Sequence, residues 1–372
     1  MHTAMTQPFE IFMTATPGLE NALLAEAQER GFADAQMTQG GVTFMGTWPD
    51  VWRANLVMRG ATRVLARIGS FMAFHLAQLD KRAHKFPWGD VLRTDVPLRV
   101  ELTTNKKSKI YHAGAATQRI ETALKENGYQ ISADAALALK VRIDDNRVTI
   151  SIDTSGESLH KRGHKEAVGK APMRETLASL MLRECGYDGT EPVLDPMCGS
   201  GTFLIEAAEI AAGLYPGRSR SFAFEKLASF DAVAWEEMRK MGEITHPTDI
   251  HFYGSDRDAG AVRMATANAE RAGVADLISF ENLDAKDIQR PDGAPGLVIC
   301  NPPYGGRIGN PKLLFGLYAS LGTTLKDRFK GWRVGIITSD PALANATGLP
   351  FKPKGAPIPH GGLKVWLFQA QL

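Results

Sequence analysis

Asn301-Pro302-Pro303-Tyr304-Gly305 directly follows the apolar run Leu297-Val298-Ile299-Cys300. A buried strand that runs into two prolines loses backbone donors, and its carbonyls are held in fixed directions. The side-chain oxygen of Asn301 and the carbonyl before Pro303 then form a cluster of acceptors. Such a cluster suits an exocyclic amine, which offers two N–H donors and a lone pair delocalised into its ring. Accepting both hydrogens shifts the nitrogen toward sp3 and frees the lone pair for in-line attack on a methyl sulfonium. Holding the two reactants together supplies most of the help, because the donor is already activated. Tyr304 can stack on the base face. The bland alternative is a proline-rich turn; the apolar strand before it and a glycine turn about a hundred residues upstream favour the chemical reading.

That glycine turn is Val193-Leu194-Asp195-Pro196-Met197-Cys198-Gly199-Ser200-Gly201-Thr202, ahead of an apolar helix beginning near Phe203. Gly199 and Gly201 allow positive φ and close approach of a ligand to backbone. The helix N-terminus adds free N–H groups. A dinucleotide turn wants a third glycine, and Leu204 stands in its place; no Lys-Ser or Lys-Thr follows, so a P-loop is excluded. Asp195 would repel a pyrophosphate but suits a cationic amino-acid moiety, which favours S-adenosylmethionine (SAM). A plain tight turn between strand and helix is the alternative.

Two further carboxylates follow strands. Asp256 ends Phe252-Tyr253-Gly254-Ser255-Asp256, where it can bind ribose hydroxyls. Read alone it caps the next helix, a role open also to Ser255 and Asp258. Asp284, after Ile278-Ser279-Phe280, can accept from an adenine amino group or be an exposed loop carboxylate.

Other chemistries lack their residues. The three cysteines, Cys185, Cys198 and Cys300, show no CxxC spacing. Cys300 precedes the prolines and Tyr occupies position 304, so a Pro-Cys nucleophile is missing; Cys198 and Cys300 read as packed core thiols. The nine histidines show no ligand spacing, and no metal is assigned. Net charge is only +2, so any contact with an anionic polymer is local. Two basic stretches fit it: Asn105 to His112, with Lys106, Lys107 and Lys109, and His160 to Lys165, with Lys161 and Arg162. Either can also be a solvated face.

These residues need elements to hold them. Over 372 residues, with 44% hydrophobic and 23% charged side chains, a sizeable core is expected. No signal peptide and no membrane-length apolar run is legible, which predicts a cytoplasmic protein. Up to Asp153 short strands mix with helices, including a tight Asp-Asn turn before Arg147, as in a small α+β module or two. From Pro172 apolar strands alternate with long helices, the grammar of a parallel sheet. Gly213 to Pro247 reads as an insertion packed down by Phe222 and Trp235.

The glycine turn and the Asn-Pro-Pro-Tyr run together resemble the THUMP-domain class I RNA methyltransferases, in particular the enzymes that modify guanine N2 of large-subunit ribosomal RNA. The likeness covers nearly the whole chain. Gly18-Leu19-Glu20, Gly40-Gly41-Val42 and Arg53-Ala54-Asn55-Leu56 look like that family's N-terminal region, and Ser155-Gly156-Glu157-Ser158-Leu159-His160-Lys161-Arg162-Gly163 resembles the segment leading into its catalytic domain.

The resemblance implies an α/β fold: a Rossmann-like class I methyltransferase domain over 171–372, preceded by an α+β ferredoxin-like region over 1–60, a THUMP RNA-binding domain over 61–155 and a linker over 156–170. It implies that Asp195, Pro196, Cys198, Gly199, Gly201 and Thr202 cradle SAM, that Asp256 holds its ribose and Asp284 its adenine. Asn301, Pro302, Pro303 and Tyr304 would orient the target amine. Ala171-Pro172-Met173-Arg174-Glu175 resembles a segment that closes over the cofactor. Lys106, Lys107, Lys109, Lys161 and Arg162 would contact RNA. Some relatives carry a second methyltransferase domain after this one; a chain ending at Leu372 resembles single-activity relatives. The expected product is N2-methylguanosine in 23S ribosomal RNA. Transfer-RNA guanine-N2 methylation, adenine-N6 or protein-glutamine methylation, and a non-catalytic ribosome assembly factor are the alternatives.

Overall fold

The computed structural model describes residues 7–166, 173–305 and 311–372. By internal contacts the chain groups into an N-terminal unit (Met1–Ala15, Glu26–Leu159 and Arg220–Met241) and a C-terminal unit (Thr16–Ala25, His160–Ser219 and Gly242–Leu372).

The first stretch runs β1 (Phe9–Thr14), α1 (Glu20–Glu29), β2 (Gln36–Thr38), β3 (Gly41–Gly46), α2 (Trp48–Val57), β4 (Arg63–Met72), α3 (Leu76–His84), β5 (Leu98–Thr104), α4 (Ala113–Glu126), β6 (Leu137–Asp144) and β7 (Arg147–Asp153). Its strands form one seven-stranded sheet, ordered β2-β3-β1-β4-β7-β6-β5. One sheet thus runs through residues on both sides of position 60. Alternation makes it one-faced: Leu139, Val141 and Ile143 of β6 lie opposite Ile152, Ile150 and Val148 of β7, all buried. The hairpin turn between them takes two left-handed residues, Asp145 (φ 47°) and Asn146 (φ 63°), a demand these short polar side chains tolerate.

The 213–247 insertion contributes α7 (Ala232–Met241). Trp235 meets Phe224 edge-on at 4.9 Å and Phe222 at 5.7 Å, while Phe222 and Phe224 stack at 5.2 Å. Arg220, over the Phe222 ring at 4.9 Å, donates to the carbonyls of Glu157 (2.7 Å) and Ser158 (2.9 Å), clamping part of the Ser155–Gly163 run.

The C-terminal unit runs α5 (Glu175–Glu184), β8 (Val193–Asp195), α6 (Thr202–Ala211), β9 (Phe252–Asp256), α8 (Ala259–Ala272), β10 (Ile278–Asn282), β11 (Leu297–Cys300), α9 (Pro311–Arg328), β12 (Arg333–Thr338), α10 (Pro341–Ala346), β13 (Ile358–His360) and β14 (Leu363–Gln371). Its sheet is ordered β10-β9-β8-β11-β12-β14-β13. The first five strands pair in parallel and β14 runs antiparallel to both neighbours. Chain order reverses between β8 and β11. In an open parallel sheet that is where strand ends leave a crevice for a ligand. Among the described residues no helix is long and apolar enough to cross a membrane.

Candidate active site

The crevice is built from the turn after β8. Gly199 (φ +54°) and Gly201 (φ +81°) take the left-handed conformation that glycine adopts without penalty. A Cβ on Gly201 would stand 3.1 Å from the Ala265 Cβ and 3.3 Å from the Phe280 ring, so this glycine also permits close packing. A Cβ on Gly199 would meet nothing within 4 Å; that position faces open space. The turn is stitched to β9: Cys198 N donates to the Ser255 carbonyl (2.9 Å) and Gly199 N to Asp256 Oδ2 (3.1 Å). Asn268 of α8 donates to the Ser200 carbonyl at 3.1 Å.

Asp195 is 2% exposed and accepts from Met197 N at 3.0 Å. Burial, with Asp256 nearby, pushes its carboxyl up to about 8. Among the described residues no cationic side chain pairs with Asp195 or Asp256. Two carboxylates without a counter-ion fit a cationic ligand such as a methionine ammonium or sulfonium. Helix capping falls to Asp258, which accepts from Gly260 N at 2.7 Å, so Asp256 remains at the crevice. Asp284 is half-buried and accepts from Lys286 N at 3.2 Å. Leu283 N donates to the Asp256 carbonyl at 3.1 Å, tying that segment to β9.

β11 lies beside β8, with Leu297 opposite Val193 and Val298 opposite Leu194, so Asp195 and Asn301 emerge at neighbouring strand ends. Across the sheet the order is Asp284, Asp256, Asp195, Asn301. Three strand spacings cover roughly 14 Å, room for an extended nucleoside with its tail and a second reactant. Asn301 Oδ1 is buried with no hydrogen-bond partner among the described residues. A buried acceptor left unpaired costs about 1–3 kcal/mol unless a ligand satisfies it. The Tyr318 hydroxyl donates to the Pro303 carbonyl at 3.3 Å and props the loop from α9. Pro302 is buried and Pro303 partly so. Tyr304, expected to stand open for stacking, is only 9% exposed.

Residues 162–353 match the family described as RMKL-like, methyltransferase domain, and residues 10–65 match the RlmL ferredoxin-like domain. The chain belongs to the RMKL-like methyltransferase family. It is 36% identical over 340 residues to a ribosomal RNA large subunit methyltransferase K/L of Vibrio cholerae, covering 88% of this chain and 48% of that protein. The chain thus spans about half the length of the K/L relatives it matches. It is 31% identical to a putative RNA methyltransferase of Synechocystis, covering 100% of this chain and 98% of that one. A crystal structure of a putative methyltransferase complexed with SAH matches with a TM-score of 0.86 at 28% identity, over 99% of each chain.

In this RMKL-like domain the basic stretch before the catalytic core is split by burial. Lys161 is exposed, as a phosphate contact requires. Arg162, expected beside it at the RNA surface, is instead 2% exposed, with Nε donating to Glu206 Oε1 at 3.0 Å. That guanidinium neutralises a carboxylate buried in α6 and cannot reach a phosphate. His164 and Arg218 gather around Glu209, one turn along, at 3.9 Å and 2.6 Å. Burial lowers the His164 imidazole from its ordinary value. His160 is half-buried; that desolvation, with the charges of Arg174, Arg162 and Lys165, pushes its imidazole down to about 4, so it stays neutral.

Lys165 is a residue the sequence reading placed in the wrong setting. Its Nζ donates to the Met173 carbonyl (2.8 Å) and Thr202 Oγ1 (2.9 Å) and lies 3.2 Å from Glu175 Oε1. It therefore ties the segment before α5 to the first residue of α6, and the Thr202 hydroxyl is engaged within the protein. Glu206 and Glu209, two carboxylates in the otherwise apolar TFLIEAAEIA, were the available signal that cations must lie inside. The Ala171-Pro172 part of the segment expected to close over the cofactor lies outside the described residues. The thiols of Cys198 and Cys300 are buried and held well above their ordinary value, so neither is a thiolate nucleophile. Lys106, Lys107 and Lys109 are exposed, in the N-terminal unit.

Proposed function

We propose that the chain is a SAM-dependent RNA methyltransferase that forms N2-methylguanosine in large-subunit ribosomal RNA. The observation that carries the reading is the unpaired, buried Oδ1 of Asn301 at the end of β11, next to the Asp195 strand end. It is an acceptor with no partner among the described residues, placed where an exocyclic N–H would arrive.

When bound, SAM supplies an activated methyl group. Asp195 pairs with the cationic amino-acid end, the Cys198–Gly201 backbone leaves room for it, Asp256 accepts from the ribose hydroxyls and Asp284 from the adenine amine. Asn301 Oδ1 and the Pro302 carbonyl accept the two hydrogens of the guanine N2. Gathering those hydrogens on one side directs the nitrogen lone pair to the other, and the proton released on methylation passes first to these acceptors and then to solvent. Ground-state positioning and this polarisation are what the residues add. Tyr304 closes the site as a packed wall. The 61–155 region is read as the THUMP module that binds RNA, with Lys106, Lys107, Lys109 and Lys161 on phosphates. The K/L name of the Vibrio cholerae relative favours ribosomal over transfer RNA.

The test is transfer of a labelled methyl group from SAM to deproteinised, undermethylated large-subunit RNA by the purified chain. Incorporation that Asn301→Ala abolishes supports the reading; equal incorporation by the variant removes Asn301 from it.

A further inference from the structure

The charge of Lys165 is engaged inside the protein. Its side chain is only 10% exposed, and lysines are buried to that degree only when paired. Three oxygens stand within 3.2 Å of its ammonium: the Met173 carbonyl, Thr202 Oγ1 and Glu175 Oε1. An ammonium has three N–H donors, so each has an acceptor here. Burial raises the Glu175 carboxyl and Lys165 pulls it back down, so the cation and the acid depend on each other.

This hub touches the crevice at one residue. Thr202 opens α6 directly after Gly201, the left-handed end of the glycine turn. On the side of β9 and α8 that turn is pinned by Cys198 N on the Ser255 carbonyl, Gly199 N on Asp256 Oδ2 and the Asn268 amide on the Ser200 carbonyl. Toward α5 it is pinned through Thr202 by Lys165. The anchors behind Lys165 are firm, because Met173 and Glu175 are both buried and Glu175 opens α5. A turn held from one side can pivot, and a binding geometry tolerates a displacement of only about 0.5 Å.

We infer that Lys165 is a positioning residue for SAM: acting through Thr202, it fixes the Gly199–Thr202 turn from the α5 side, and cofactor affinity depends on it. The inference rests on SAM occupying this turn and adds what holds the turn in shape. It moves the last residue of the basic His160–Lys165 stretch from RNA to the cofactor site.

The experiment titrates the full chain with S-adenosylhomocysteine by calorimetry, beside Tm and the split of methyl transfer into KM for SAM and kcat. Lys165→Met should weaken S-adenosylhomocysteine about tenfold or more, the scale of one hydrogen bond to a charged group. KM for SAM should rise by a similar factor, with kcat at saturating SAM within about twofold of the parent. Thr202→Val should show a similar loss, and Thr202→Ser, which keeps the hydroxyl, should bind as the parent does. In Lys165→Met/Thr202→Val the losses should not add, because both substitutions cut one link. Lys165→Met/Glu175→Gln also removes the uncompensated acid. It should regain Tm lost by Lys165→Met and still bind S-adenosylhomocysteine weakly, which a link serving stability alone would not do. Parental affinity in Lys165→Met overturns the inference, as do additive losses in Lys165→Met/Thr202→Val or recovery of affinity together with Tm in Lys165→Met/Glu175→Gln. If Lys165→Met does not fold, the Thr202 pair decides: equal affinity in Thr202→Val and Thr202→Ser overturns the inference. If the parent binds no S-adenosylhomocysteine, the inference and the cofactor reading fall together.

Discussion

Asn301 and Asp195 sit on adjacent strand ends with complementary deficits among the described residues, one a buried acceptor without a donor, the other a buried carboxylate without a cation. Each predicts a different kinetic loss. Asn301→Ala should lower kcat about 100-fold or more, near 3 kcal/mol of transition-state stabilisation, with S-adenosylhomocysteine affinity unchanged by titration calorimetry. Asp195→Asn should instead act on the cofactor and on pH dependence. Its folded value of about 8 stands above the ordinary carboxylate value, so the folded chain holds that proton more tightly than the unfolded chain. The associated stability is present below about pH 4 and is lost as pH rises through 8. The ligand-free parent should therefore lose Tm across this window, and Asp195→Asn should lose less. Because the ionised carboxylate is what meets a cation, the Tm gain from S-adenosylhomocysteine should grow with pH in the parent and flatten in the variant. At this scale the site was legible where chemistry constrains backbone: two glycines, two prolines and the carboxylates beside them. Arg162 and Lys165 were not, because a charge in sequence does not say whether it faces water or a buried glutamate.

α6 holds the glycine turn from below, and its stability rests on two features of different kinds. Gly201→Ala puts a side chain at φ +81° with Ala265 at 3.1 Å; the strain costs about 1–2 kcal/mol, and cofactor affinity should fall with it. The Arg162–Glu206 pair is a buried ionic link, for which removing one partner and removing both differ in cost. Arg162→Met alone takes the paired cation from a buried carboxylate and should cost about 3–5 kcal/mol by denaturant titration, whereas Arg162→Met/Glu206→Leu should recover most of it. Elements beside a motif were readable: β7 follows the Asp-Asn turn, α6 begins beside Phe203, and β9 and β11 lie on the runs Phe252–Asp256 and Leu297–Cys300. The elements missed are those without a pattern of their own. β2 is three exposed residues that form a strand only by pairing with β3, and β13 is three residues on β14. α5 is buried over most of its length, its polar Glu175, Thr176 and Ser179 included, so its polar stripe does not mark a solvent face.

Across the whole chain, the parallel sheet follows from strand–helix alternation, its reversal between β8 and β11 does not, and together they place the carboxylates and Asn301 in one row. The grouping of Arg220–Met241 with the N-terminal unit is not in that grammar. It comes from Phe222, Phe224 and Trp235 finding an aromatic core, a long-range match that a local reading does not contain. The central claim is the product: a methyl group on guanine N2 of large-subunit ribosomal RNA. Nucleoside mass spectrometry on undermethylated large-subunit RNA, digested after incubation with the purified chain and SAM, tests it most directly. The account predicts new N2-methylguanosine in that RNA and none with Asn301→Ala. N6-methyladenosine instead, or methylation of transfer RNA with the large-subunit RNA untouched, would contradict it.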